Sequence, residues 1–147
     1  CSMLGDGPLL ENVRRDIEIA GMSERFELSG WITSDDVVEH FSRSDILFMP
    51  SLSEGLPVVG VQALAKGLAI VASRIGGFLD LVDDEKNGYL IHVQDNAAFS
   101  KVLRELISNP QLLLRLREAS KQKSHQFDIQ KIVDRYQTIL QGVLNGN

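Results

Sequence analysis

The densest concentration of residues able to do chemistry is the segment Pro50-Ser51-Leu52-Ser53-Glu54-Gly55-Leu56-Pro57-Val58-Val59-Gly60-Val61-Gln62-Ala63-Leu64-Ala65-Lys66-Gly67. It links the end of an apolar run to the start of a helical pattern through a loop that holds one carboxylate and one glycine. Gly55 lets backbone approach a ligand closely. Glu54 can accept hydrogen bonds from sugar hydroxyls. The first N–H groups of the helix that follows have no partner within it, which suits an anionic phosphate, and in open α/β sheets ligands sit in this crevice. A loop turn leading into an amphipathic helix explains the same spacing without a ligand. Within that helix Val58, Val61, Gln62 and Ala65 occupy the i, i+3, i+4, i+7 stripe expected to face the core, and Gln62 is its one polar member. A stripe edge tolerates a glutamine, so position alone leaves its role open.

Other clusters carry less. Ser73-Arg74-Ile75-Gly76-Gly77 also follows an apolar run and opens a helix, where two glycines serve either a tight turn or a ligand's approach, but the G-x-G-x-x-G spacing of a dinucleotide site is missing. Gly5-Asp6-Gly7-Pro8 has no Gly-Lys-Ser/Thr after it and reads as a structural turn. His40, His92 and His125 lie far apart without ligand spacing, so no metal is expected. Asp83-Asp84-Glu85 lacks the alternating oxygens of a calcium loop and reads as a solvated turn. Lys121, Lys123 and His125 read as an exposed basic face. Nothing supports a hydrolase triad.

These loops need strands and helices to position them. The chain has 147 residues, 44% hydrophobic and 24% charged, the size and balance of one globular domain. Fifteen basic against twenty acidic residues give a net charge of -5, which disfavours nucleic acid as a partner. One cysteine excludes an internal disulfide, the N-terminus has no signal-peptide pattern, and no apolar run approaches a membrane span, so a cytoplasmic location is the default expectation. Short apolar runs at residues 3–4, 26–28, 46–49, 69–72 and 89–91 alternate with helical patterns at 9–20, 34–42, 57–66 and 78–82, which predicts βαβ units and a parallel sheet. Thr33 with Asp36 predicts a capping box, and Pro57 suits a first helical turn. Three helices follow, at 97–108, 111–125 and 129–144. Asn109-Pro110 breaks the first pair, Asp128 caps the third, and Ile129, Ile132, Val133, Tyr136, Ile139, Leu140 and Val143 form a stripe that predicts packing of this helix. The organisation is one domain, a βαβ core over 1–93 and a helical annex over 94–147.

Taken in order, Gly5-Asp6-Gly7-Pro8, Ser29-Gly30-Trp31, the stretch from Asp45 to Pro50-Ser51, Glu54-Gly55-Leu56-Pro57, Ala63-Leu64-Ala65-Lys66-Gly67, Val71-Ala72-Ser73, Gly76-Gly77 and Asn87-Gly88-Tyr89-Leu90 resemble the C-terminal domain of group 1 glycosyltransferases. These are the retaining, metal-independent family 4 enzymes of GT-B architecture. The resemblance implies an α/β, Rossmann-like domain that faces an N-terminal acceptor domain across a cleft and holds a nucleoside diphosphate sugar, with no metal or other cofactor. It implies that Glu54, the candidate catalytic residue, contacts donor sugar hydroxyls, and that amides of Gly55, Leu56, Pro57, Val58 and Val59 reach sugar and phosphate. Gln62 would contact the ribose, Trp31 and Ile32 would line the base, and Gly76 and Gly77 would border the cleft. The longer parent enzyme could then be peripheral at the inner face of the membrane.

Two departures bear on this. The family pattern has a glutamate eight residues after the first, where this chain has Gln62. The family's first strand and following helix, with the arginine and lysine that clamp the diphosphate, would precede Cys1. That strand would lie centrally, between residues 3–4 and 46–49, so those two strands are expected either to pair with each other or to be covered by a second copy through self-association. The resemblance therefore implies half of a hexosyltransferase, inactive by itself. The alternative is a degenerate sugar-nucleotide-binding module with a regulatory or assembly role, and beyond both stands an unrelated flavodoxin-like or epimerase-like domain.

Overall fold

The computed structural model describes residues 1–144, which fall into two compact units that meet at Arg43/Ser44. In the first unit β1 (Ser2–Leu4) runs parallel to β2 (Glu27–Gly30), with Ser2 opposite Glu27 and Met3 opposite Leu28. Helix α1 (Leu10–Ile19) makes the crossover and α2 (Ser34–Ser42) follows β2. The capping box on α2 is present: Thr33 Oγ1 accepts from the Asp36 N–H at 3.2 Å, while the Asp36 carboxylate accepts from the Thr33 N–H at 2.9 Å. Two of the helix's unsatisfied donors are thereby used up locally.

The second unit holds a three-stranded parallel sheet, ordered β3 (Ile46–Met49), β4 (Ala69–Ser73), β5 (Gly88–Ile91). Its helices are α3 (Val58–Lys66), α4 (Phe78–Leu81), α5 (Asn96–Ser108), α6 (Pro110–Ser124) and α7 (Ile129–Leu144). Every residue of β4 is fully buried, as the continuous apolar run of a strand covered on both faces requires. Ala69 and Val71 pack against Phe99, Val102 and Leu106 of α5 and Leu116 of α6. Ile70 and Ala72 point to the opposite face. At Gly88 an added Cβ would stand 1.9 Å from the Ile70 carbonyl oxygen, so β5 can approach β4 only with no side chain there.

Helix α6 ties down the entries to all three strands. Arg117 Nε donates to the Gly67 carbonyl at 2.9 Å and its guanidinium pairs with Asp45, just before β3. Ser120 Oγ donates to the Asn87 carbonyl at 3.2 Å, just before β5. Gly67 closes α3 in the left-handed conformation, φ 72°, which glycine adopts without a steric penalty, and the Lys121 stem lies across it. Asn87 is wholly buried; its Nδ2 donates to the Leu81 carbonyl at 3.0 Å and its Oδ1 accepts from the Asp83 N–H at 2.7 Å.

The α/β class and parallel pairing agree with the sequence reading, and the strands and helices fall within about two residues of the expected ones. Five expectations change. The packed face of α3 is Gly60, Ala63 and Leu64, with Val58 and Ala65 exposed and Val61 and Gln62 half-buried. Small residues take the inner face because a Cβ at Gly60 would meet Leu81 Cδ1 at 2.5 Å, so the helix lies close against α4. Asp83 and Asp84 are not merely solvated: Lys123 Nζ bonds Asp83 at 2.7 Å, and Asp84 pairs with Arg74 and accepts the Leu90 N–H at 2.9 Å. Lys123 thereby leaves the exposed basic face, its side chain only 10% accessible. Residues 3–4 and 46–49 are not paired with each other: among the described residues β1 pairs only with β2 and β3 only with β4, each along one edge. The α7 stripe, from Ile129 to Val143, is left uncovered by the described residues. No described helix is long and apolar enough to cross a membrane.

The capping box makes a titration prediction. The Asp36 carboxyl is held below the usual carboxylate range by the Thr33 hydroxyl first and the Thr33 N–H second, with His40 adding a smaller effect against slight desolvation. A depressed folded-state pKa means that this contribution to stability is complete above the unfolded pKa, near 4, and is lost as pH falls through the folded value. Thr33→Ala is expected to raise the Asp36 pKa toward the ordinary value, followed by NMR titration of its carboxyl carbon. Identical titrations in the two proteins would show that the cap is not the cause.

Candidate functional site

The loop between β3 and α3 leaves the sheet at the C-terminal end of its strands, and its shape follows from a second loop beneath it. A Cβ at Gly77 would stand 1.6 Å from the Gly55 carbonyl oxygen and 2.8 Å from Leu56 Cα, and one at Gly76 would stand 2.9 Å from the Glu54 carbonyl oxygen. Backbone therefore lies directly on backbone, with no room for a side chain between them. Gly77 has φ -63°, an ordinary helical value, so this glycine is required for space rather than for conformation. The sequence grouped Glu54 and Gly55 with Gly76 and Gly77 only as neighbours of one crevice. The structure brings them into direct contact.

On this support Glu54 is half-buried, and its Oε1 accepts from Ser51 Oγ at 3.0 Å. No cationic partner of Glu54 is found among the described residues. Gly55 and Leu56 are exposed, Pro57 is buried at the N-cap, Val58 is 68% exposed and Val59 is half-buried. The N–H groups of Val58 and Val59 have no acceptor among the described residues, whereas that of Gly60 is taken by the Pro57 carbonyl at 2.9 Å. Pro57 itself has no N–H, so within the candidate phosphate loop it can shape the backbone but not donate. Gln62 lies on the side of α3 opposite the buried Gly60, Ala63 and Leu64, and its amide makes no hydrogen bond within the described residues.

Trp31 and Ile32 belong to the first unit. Trp31 follows the end of β2 with 83% of its surface exposed, an unusual fraction for the largest apolar side chain, and Ile32 is half-buried ahead of the Thr33 cap. Arg74, the cation in the glycine loop, donates to the Leu90 carbonyl at 3.3 Å and pairs with Asp84, so it braces the loop. Among the described residues no group of three His, Cys, Asp or Glu side chains is placed to share a metal ion.

The chain matches the family of group 1 glycosyl transferases over residues 1–123. It belongs to that family. An uncharacterized glycosyltransferase of Haemophilus influenzae is 36% identical over 108 residues, covering 73% of this chain and 31% of the relative. Among solved structures, Anabaena Alr3699/HepE in complex with UDP superposes with a TM-score of 0.85 at 20% identity, over 96% of this chain and 40% of that one. The pneumococcal O-GlcNAc transferase GtfA, in complex with UDP and GlcNAc, gives a TM-score of 0.83 at 20% identity, over 97% and 29%. This group 1 chain thus matches one part of the GT-B structures it superposes on and spans about a third of the length of these relatives.

Sequence reasoning did not pair Ser51 with Glu54. The available signal was the S-x-x-E spacing, which in helix caps brings a hydroxyl and a carboxylate together. It also missed Asp84, Arg74 and Asn87 as the frame under the glycine loop. Their bonds join positions 6 to 16 apart by a turn geometry that residue type does not announce.

The glycine contact can be tested. Gly77→Ala is expected to push residues 54–56 outward at a cost of about 1–3 kcal/mol, the usual range for overpacking. Denaturant unfolding reads the stability, and hydrogen exchange reads the amides of 54–56, which should exchange faster. Unchanged exchange in the folded variant would mean that the two loops do not support each other.

Proposed function

We propose that this chain is the nucleotide-sugar-binding half of a retaining, metal-independent glycosyltransferase that transfers a hexose from a nucleoside diphosphate sugar. The observation that carries this reading is the single rigid loop that presents the Glu54 carboxylate together with the two unpaired N–H groups of Val58 and Val59. A carboxylate suits sugar hydroxyls, and helix-start amides suit a diphosphate. In this reading Gly55 and Leu56 supply further backbone donors, Gln62 meets the ribose, Trp31 and Ile32 line the base, and Gly76 and Gly77 border the cleft. The N–H groups of Val58 and Val59 would stabilise the negative charge that develops on the departing nucleoside diphosphate. Because Alr3699/HepE has been solved with UDP and with UDP-glucose, uridine diphosphate sugars lead the panel of candidate donors. The acceptor would come from a partner domain, and the open edges of β1 and β3 would be met by a strand of a longer chain or of a second copy.

The 147-residue chain alone should transfer nothing, because positioning two substrates and neutralising the diphosphate both call for groups beyond its own. Arg74 is already paired with Asp84 and with the Leu90 carbonyl. Radiolabelled transfer assays with the purified chain should stay at background; turnover would sink this part of the reading.

Gln62 favours a second reading, a degenerate binding module, and the same residue separates the two. A neutral hydrogen bond contributes about 0.5–1.5 kcal/mol and one to a charged group about 1.5–3, so a glutamine at the ribose forfeits roughly 1 kcal/mol. Gln62→Glu is expected to tighten binding of a diphosphate sugar about fivefold, with no gain for a ligand lacking ribose hydroxyls. Calorimetry on both folded proteins measures this, and equal affinities would remove Gln62 from the ribose.

A further inference from the structure

Glu54 is the one ionisable side chain on its loop, and its only described side-chain partner is Ser51, whose Oγ donates to Oε1 at 3.0 Å. Both residues are half-buried, while their neighbours Pro50, Leu52, Ser53, Gly55 and Leu56 are all exposed. The backbone carrying Glu54 is fixed from below by Gly76 and Gly77, but nothing in that contact orients the carboxylate. A glutamate has three side-chain torsions, and fixing them costs on the order of 1–2 kcal/mol of conformational entropy at the moment of binding unless another group has already fixed them.

From this geometry we infer that Ser51 is the positioning residue for Glu54: it holds Oε1 and leaves Oε2 directed to a hydroxyl of the donor sugar. The inference rests on the nucleotide-sugar reading above and adds to it a division of labour within the carboxylate. Of the roughly four acceptor sites on a carboxylate, the serine occupies one. The remaining oxygen then meets a sugar hydroxyl with its direction already set, so the affinity that Glu54 contributes depends on Ser51. Because Glu54 touches the sugar and not the nucleotide, removing Ser51 must weaken the diphosphate sugar and spare the bare nucleoside diphosphate. A serine that served only the loop's fold would instead weaken both alike.

The experiment is calorimetric titration of the 147-residue chain with UDP-glucose, GDP-mannose and ADP-glucose, each beside its nucleoside diphosphate, for the parent sequence, Ser51→Ala, Ser51→Thr and Glu54→Gln. Thermal unfolding of each variant confirms that it is folded. Ser51→Ala is expected to lower affinity for the diphosphate sugar about three- to tenfold with the diphosphate unchanged. Ser51→Thr, which keeps the hydroxyl, should stay within about twofold of the parent, and Glu54→Gln should lose at least as much as Ser51→Ala. If Glu54→Gln discriminates against the sugar while Ser51→Ala does not, the positioning role is overturned and the nucleotide-sugar reading stands. Equal losses of sugar and diphosphate in Ser51→Ala also overturn it. If the parent chain binds none of the three diphosphate sugars, both fall.

Discussion

The second unit depends on the complete burial of one strand. With every residue of β4 removed from water, the sheet must be covered on both faces and paired on both edges, and each of those needs selects particular neighbours. Covering one face takes the apolar sides of α5 and α6. Pairing with β5 requires that Gly88 have no side chain, because the Ile70 carbonyl occupies that space. A strand buried on both faces also leaves its polar backbone no recourse to solvent, so its ladder bonds cannot be lost singly without a cost of about 1–3 kcal/mol for each group left unpaired. The strand is thus a fixed axis, and the loops that leave its ends inherit that fixity.

At the C-terminal end the inherited rigidity becomes useful. The Gly76-Gly77 turn begins three residues after β4, and its backbone supports residues 54–56 without an intervening side chain. A contact between two backbones has few ways to relax, unlike one between flexible side chains. Binding groups held on such a support lose little further freedom when a ligand arrives, which is the advantage of preorganisation. Arg74, Asp84 and Asn87 extend the same support sideways into the turn before β5.

Much of this was legible in the sequence. Residues 46–49 were read as a strand and 34–42 as a helix, and both are found with those bounds because a short apolar run and a capping box are local signals. The glycine and glutamate loops were legible as candidates because strand-loop-helix order puts such loops at one end of a parallel sheet. The inner face of α3 was not. Helical periodicity nominated Val58, Val61, Gln62 and Ala65, whereas the space left by Leu81 selected Gly60, and that space is a property of another helix. The same holds for Asp83 and Asp84: a run of acids reads as solvated until Lys123 and Arg74 arrive from distant parts of the chain. The uncovered α7 stripe is the reverse case, an amphipathic pattern correctly read whose cover is not among the described residues.

The ties made by α6 have a consequence for how the chain is synthesised. Arg117 reaches back 72 residues to Asp45 and 50 to Gly67, Lys123 reaches back 40 to Asp83, and Ser120 reaches back 33 to Asn87. On a ribosome that adds about 5–20 residues per second, β3, β4 and β5 all emerge seconds before the helix that fastens their entries. During that interval the most deeply buried strand of the protein is made but not yet covered, and loop closure over such separations must precede its reward. The nascent chain is therefore most exposed to misassociation between the emergence of β4 and that of α6, a window in which a chaperone would find its natural substrate.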